Sequence, residues 1–252
     1  LESGKKSLNF KLIVIQKTER RKFFMIKAVI LDIDNTLMDF MRMKRAAVDS
    51  AVDDMIDAGL TIPKEEMVEK IFKIYWEEGI EDQNIFDKVL TKEFGEIDYR
   101  ILAAGILGYK RAKEGHMTLY PHVKLTLTKL LKSGIKMGVV SDAPRLPVWL
   151  RIVALGLHHY FDHVVTFEDT GERKPSPKPF TKILELLEAK PGESIMIGDW
   201  AERDIKGAKN IGMITAWAKY GNEFDTVKSG ADYELEDIHD ILKIVESHNK
   251  TK

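Results

Sequence analysis

The stretch ILDIDNTL, residues 30–37, joins an apolar run to two acids. Ala28, Val29, Ile30 and Leu31 read as a buried strand. Asp32 and Asp34 follow it, one residue apart, just ahead of Asn35 and Thr36. On an extended chain the two carboxylates fall on the same side. Like charges that close are costly unless a cation or a positive side chain joins them. That partner has to come from elsewhere in the chain.

Outward from this strand, residues 42–114 carry apolar positions at helical spacing (Val48, Val52, Met55 and Ile56, then Met67, Ile71, Ile74 and Tyr75). Gly59 and Pro63 break the first run. No strand pattern interrupts these residues, which predicts an inserted α-helical unit. From residue 123 onward helices and strands alternate. Helices are expected over residues 123–132, 146–155, 177–189, 201–211 and 237–246. Strands are expected at IKMGVVSD, HVVTFED, SIMIGD and MITAWA. This alternation predicts an α/β fold, a Rossmann-like parallel sheet with helices on both faces.

Ligands of such sheets sit at the carboxyl ends of the strands. The first strand ends in Asp32 and Asp34, the next in Ser141 and Asp142. HVVTFED leads to a loop with Arg173, Lys174 and Lys178, and SIMIG to Asp199 and Asp204. Acids at strand ends suit one hard cation such as Mg²⁺, which takes oxygen ligands and keeps several waters. A cation would make the paired charge tolerable and let a carboxylate approach an anion. An ionised aspartate is a competent nucleophile toward phosphorus. A second carboxyl two residues on can protonate the leaving oxygen and then activate water. Ser141 can hold phosphoryl oxygens, and Lys174 can offset charge developing in the transition state. Lys178 competes for the lysine role. Phe40, Arg42, Arg145 and Trp200 stand close enough in sequence to touch a substrate.

Composition excludes several classes. The 252 residues are 44% hydrophobic with a formal net charge of −1, a globular chain without a nucleic-acid signature. No cysteine is present. Disulfides, thiolate metal sites and cysteine nucleophiles are therefore out, and a reducing, cytoplasmic setting fits. No apolar run approaches the ~18 residues that span a bilayer, so no membrane partner is expected. Charged residues at 31%, with only Gln16 and Gln83 as glutamines, lean toward a thermophilic source. Residues 1–24 differ from the rest, with seven Lys/Arg against Glu2 and Glu19. They read as a basic N-terminal extension outside the core, with Met25 opening the folded part.

Taken together, DIDNT (32–36), VVSDA (139–143), RKPSPKPF (173–180) and IGDWAERDIKGAKNIGM (197–213) resemble, in order, the four motifs of the haloacid dehalogenase-like hydrolase superfamily. Through DIDNTL and the tail of the fourth motif, the chain is also similar to the phosphatase branch that contains N-acylneuraminate-9-phosphatase. The resemblance spans residues 25 to about 245. It implies strand order 5-4-1-2-3, a core of residues 25–40 and 117–252, and an α-helical cap over 41–116. The cap should hinge near Asp39 and residues 116–120. It implies Asp32 as nucleophile, Asp34 as acid/base with its backbone carbonyl on Mg²⁺, and Ser141 with Asp142 at the phosphate. Lys174 is the third-motif lysine, Asp199 a metal ligand, and Asp204 orients metal-bound water. The substrate expected is a small-molecule phosphate ester, and the protein a monomer or homodimer. The alternatives are a 2-haloacid dehalogenase, a phosphomutase, or a non-catalytic Mg²⁺/phosphate-binding module. Asp34, Asp199 and Asp204 favour phosphorus over carbon, because halide release from carbon needs neither a proton nor Mg²⁺.

Overall fold

The computed structural model describes residues 25–250. The basic extension expected over residues 1–24 lies outside the described residues. Six strands form one sheet: β1 (Ala28–Leu31), β2 (Lys136–Val140), β3 (His163–Val165), β4 (Ser194–Gly198), β5 (Ile214–Ala218) and β6 (Tyr233–Leu235). Their order is β3-β2-β1-β4-β5-β6 and every pairing is parallel. The expected order is present, with β6 added beyond β5. The DYELED segment hides that strand. It is three residues long, and of these only Leu235 is fully buried.

β1 lies between β2 and β4, with Ile30 opposite Gly138 on one side and Met196 on the other. Its side chains alternate between two apolar layers, as a strand's period of two dictates. Val29 and Leu31 join Leu127, Leu130, Ile152 and Ile241 on one face. Those residues belong to α5 (Val123–Lys132), α6 (Arg145–Ala154) and α10 (Ile241–Lys250). Ala28 and Ile30 join Phe180, Ile183 and Leu187 on the other face, along α8 (Pro177–Leu186) and its end. Burying each of those large side chains contributes ~1.5–3 kcal/mol. With both faces covered, the strand tolerates no charge until it ends, and Asp32 follows at once.

Four helices separate β1 from α5: α1 (Phe40–Asp57), α2 (Lys64–Glu78), α3 (Ile85–Phe94) and α4 (Tyr99–Gly115). They share an apolar cluster of their own, including Val48, Val52, Met55, Met67, Ile71, Val89 and Leu102. Asp39 starts α1 by accepting the Arg42 N–H at 3.1 Å, the usual service of an N-cap aspartate. The chain leaves the sheet layer at Met38 and returns at Leu119. The two crossings pair as an antiparallel bridge, with Tyr120 N donating to Leu37 O at 3.0 Å.

Two elements differ from their expected extent. HVVTFED stops being strand after Val165, because Asp169 accepts both the Thr166 N–H and its hydroxyl at 2.7 Å. That local closure starts a short helix, α7 (Phe167–Thr170). The helix expected over 201–211 opens as a π turn, Ala201–Ile205, and tightens into α9 (Lys206–Asn210). The wide turn swings Asp204 back over the end of β4, where its Oδ2 accepts the Trp200 N–H at 3.1 Å. Single π turns of this kind occur often at functional sites.

Gly198 closes β4, and a methyl group there would overlap the Asp204 carboxyl. Gly198→Ala is predicted to lower the unfolding free energy by ~1–3 kcal/mol, as overpacking does, in urea denaturation followed by circular dichroism. An unchanged midpoint would mean that Asp204 can step aside.

Candidate active site

The carboxyl ends of β2, β1 and β4 stand side by side. They bring Ser141, Asp32 and Asp199 together, and the loop after α7 adds Lys174. Beyond Leu31 the chain turns, with Asn35 in the left-handed region at φ 55°, which asparagine tolerates. The Asn35 side chain accepts the Met41 N–H at 3.1 Å and ties the loop to α1.

Lys174 organises the site. Its ammonium is buried and donates to Asp32 Oδ1 at 2.6 Å, Asp204 Oδ1 at 2.6 Å and the Val140 carbonyl at 3.1 Å. Three donors meet three acceptors, so the ammonium is fully satisfied. Burial disfavours its charge, but the Asp204 and Asp32 carboxylates outweigh that and hold it protonated well above the ordinary lysine range. Its backbone N–H donates to Asp142 Oδ1 at 2.8 Å, and Arg203 donates to Asp142 Oδ2 at 3.2 Å. Both Asp142 oxygens are thus engaged in fixing the loop and the π turn.

Asp32, Asp199 and Asp204 place carboxylate oxygens within 4.8 Å of one another, all buried. Burial pushes the Asp32 carboxyl up to about 8 against the pull of Lys174. Burial, with repulsion from Asp204 and Asp32, pushes Asp199 well above the carboxylate range. Thr36 donates to Asp199 Oδ1 at 3.3 Å, and Trp217 Nε1 holds the Asp199 carbonyl at 2.7 Å. One ammonium against three carboxylates leaves two negative charges unmatched. A divalent cation supplies that difference, and an all-oxygen donor set suits a hard ion. The residues present therefore fit such a metal.

The Asp34 side chain takes a different partner from that of Asp32. The paired strand ends at Leu31, and Asp34 forms an isolated bridge to Met38. Its Oδ2 accepts Arg151 Nη1 at 2.9 Å, and Arg151 Nη2 pairs with Glu81. Burial pushes Asp34 up to about 6, with Arg151 pulling the other way. Its Oδ1 is buried without a hydrogen-bond partner among the described residues.

The sequence points to neither Arg151 nor Glu81. Nor does it single out Lys44, whose buried ammonium donates to the Tyr109 hydroxyl at 2.9 Å and lies 4.0 Å from the Tyr75 ring centroid. Burial pulls Lys44 down to about 7. A charge on the apolar face of α1 is the one sequence signal that marks Lys44. Ser141 sits buried, its hydroxyl accepting the Ala143 N–H at 3.2 Å. Lys178 points to solvent and pairs with Glu172, leaving Lys174 alone in the site. Arg145 is tied to Asp169 at 2.6 Å, Arg42 is exposed, and Trp200 stacks on Phe224.

Lys174→Met would strand Asp32 and Asp204 in the interior without their cation. Removing one partner of a buried pair costs ~3–5 kcal/mol. That loss is the expected result of urea denaturation in chelator, and a loss below ~1 kcal/mol would show that the ammonium does not hold the carboxylates.

The profile of the haloacid dehalogenase-like hydrolases matches residues 29–218. The glyceraldehyde 3-phosphate phosphatase of Pyrococcus furiosus is 33% identical over 227 residues, covering 89% of this chain and 95% of its own. The enzyme of the same name from Methanocaldococcus jannaschii is 34% identical over 227 residues, covering 90% and 100%. Among solved structures, the HAD phosphatase from Thermococcus onnurineus is 28% identical with a TM-score of 0.65, over 87% of this chain and 98% of its own. With its motif residues gathered at the strand ends of such a fold, this chain belongs to the haloacid dehalogenase-like hydrolase family.

Proposed function

We propose that the protein is a Mg²⁺-dependent phosphomonoester phosphatase acting on a small phosphorylated metabolite in the cytoplasm. Three-carbon sugar phosphates of the glyceraldehyde 3-phosphate type are the class to test first, given the relatives that cover nearly the whole chain. The observation that carries the reading is the Lys174 ammonium 2.6 Å from both Asp32 and Asp204, with Asp199 in the same cluster.

Asp32 attacks phosphorus, and the bond to the ester oxygen breaks as an aspartyl-phosphate forms. Asp34 gives its proton to the departing oxygen, then takes one from the water that attacks the same phosphorus. Inorganic phosphate leaves and Asp32 is regenerated. Lys174 offsets the negative charge that grows on the phosphoryl group. Ser141 and backbone N–H groups at the end of β2 bind its oxygens. Asp32, Asp199 and the Asp34 carbonyl would hold Mg²⁺, with Asp204 orienting its water, and the ion would supply the positive charge that lets a carboxylate approach a phosphate. Residues 41–116 act as a cap that covers the site, and residues 25–40 with 117–252 form the core.

Phosphate release from glyceraldehyde 3-phosphate is expected with Mg²⁺, to stop with chelator, and to fall to background in Asp32→Asn. Turnover that survives Asp32→Asn would remove the aspartyl-phosphate from the scheme. Mg²⁺ should also raise the melting temperature. At a hundredfold excess over Kd the stabilisation is ~2.7 kcal/mol. Calorimetry should find this rise in the native sequence and lose it in Asp199→Asn.

A further inference from the structure

Arg151 occupies a place where a leucine would otherwise serve. It lies in the last turn of α6, whose other buried residues, Val148 and Ile152, are apolar. It is 2% exposed. Burying a guanidinium costs several kcal/mol unless its partners are well placed. Here both terminal nitrogens are paired and one ring is near, while the buried Nε has no hydrogen-bond partner among the described residues. Asp34 Oδ2 accepts one arm at 2.9 Å, Glu81 accepts the other, and the Phe40 ring centroid lies 4.7 Å from the guanidinium carbon. A forked, planar cation is what this geometry needs, and lysine cannot reproduce it.

The three partners come from different parts of the chain. Asp34 belongs to the loop after β1, Phe40 begins α1, and Glu81 sits between α2 and α3. The ion pair with Glu81 therefore joins the helical insert to the sheet layer at the Asp34 carboxyl. The grip on Asp34 also distinguishes its two oxygens. An oxygen that accepts a guanidinium N–H cannot point a proton along the same line, so Oδ2 is reserved for the ion pair. Oδ1 is buried and has no hydrogen-bond partner among the described residues, and a buried polar atom left unpaired calls for a reason.

We propose that Arg151 is a positioning residue that turns Asp34 Oδ1 toward the reacting ester, and that Glu81 holds Arg151 in that pose from the helical insert. The inference rests on the phosphatase reading and on Asp34 as its acid and base. Oδ1 carries the proton that passes to the ester oxygen as the phosphorus–oxygen bond breaks. It later takes the proton of the attacking water. The insert thereby sets the orientation of the acid as well as covering the site.

The test compares two substrates that differ in how much they need an acid. The leaving group of glyceraldehyde 3-phosphate is an alkoxide and requires protonation, whereas that of p-nitrophenyl phosphate departs with little help. kcat/KM reports the steps up to departure of the leaving group, so slow hydrolysis of the aspartyl-phosphate does not blur it. General acid catalysis contributes ~10²–10⁴-fold. Arg151→Lys is expected to lower kcat/KM for glyceraldehyde 3-phosphate ~10–100-fold, a part of that contribution, and for p-nitrophenyl phosphate by less than ~3-fold. Glu81→Gln, on a partly exposed residue, should give the same selectivity with a smaller loss, and it decides alone if Arg151→Lys does not fold. Equal losses on both substrates would reduce Arg151 to a structural ion pair and overturn the proposal. A native protein inactive on both substrates with Mg²⁺ would instead overturn the phosphatase reading, and the role of Arg151 with it.

Discussion

Everything at the end of the sheet is arranged around one buried ammonium. Lys174 reaches Asp32, Asp204 and the Val140 carbonyl at once, and its backbone is fixed by Asp142. Without it, three carboxylates within 4.8 Å of one another would repel by roughly 3–4 kcal/mol per pair at an effective dielectric of about 20. With it, the excess falls to two charges, which one divalent cation can match. The lysine thus sets both the shape of the cluster and the charge of the ion that suits it.

The paired aspartates of the opening motif divide their labour because the strand ends before them. Asp32 turns inward to Lys174 and the cluster. Asp34, just ahead of the turn at residues 35–37, meets Arg151. One carboxyl is thereby paired with the Lys174 ammonium, and the other with the Arg151 guanidinium that Glu81 shares. Two acids of the same type, two residues apart, acquire different chemistry from their surroundings alone.

Most of this was readable in the sequence where the signal is local. The apolar run before Asp32, the alternation from residue 123 onward and the strand-end residues sufficed for a parallel sheet with Asp32, Lys174, Asp199 and Asp204 at its carboxyl ends, and the family resemblance supplied the strand order. The helix Val123–Lys132 has the bounds its spacing predicts. What escaped depends on contacts between distant residues. Arg151 and Asp34 are 117 positions apart, and Arg151 and Glu81 are 70. Neither pair leaves a mark in either neighbourhood. β6 was hidden by its brevity, and the end of β3 by a Thr166–Asp169 contact that competes with strand hydrogen bonding. Asp142, by sequence a neighbour of the phosphate, proved to have both oxygens committed to the scaffold.

The paired crossings between the sheet layer and the helical insert have a further consequence. Met38 bridges Asp34 on one side and Leu119 on the other. The insert is therefore attached through a narrow two-stranded stalk, and its root is the segment that carries Asp34. Such a joint is modular. The insert keeps its own apolar core, so its surface can diverge without disturbing the register of β1 against β2 and β4. The strand-end residues and the surface of the helices are then free to evolve on separate schedules, save at Glu81, where the insert reaches Arg151.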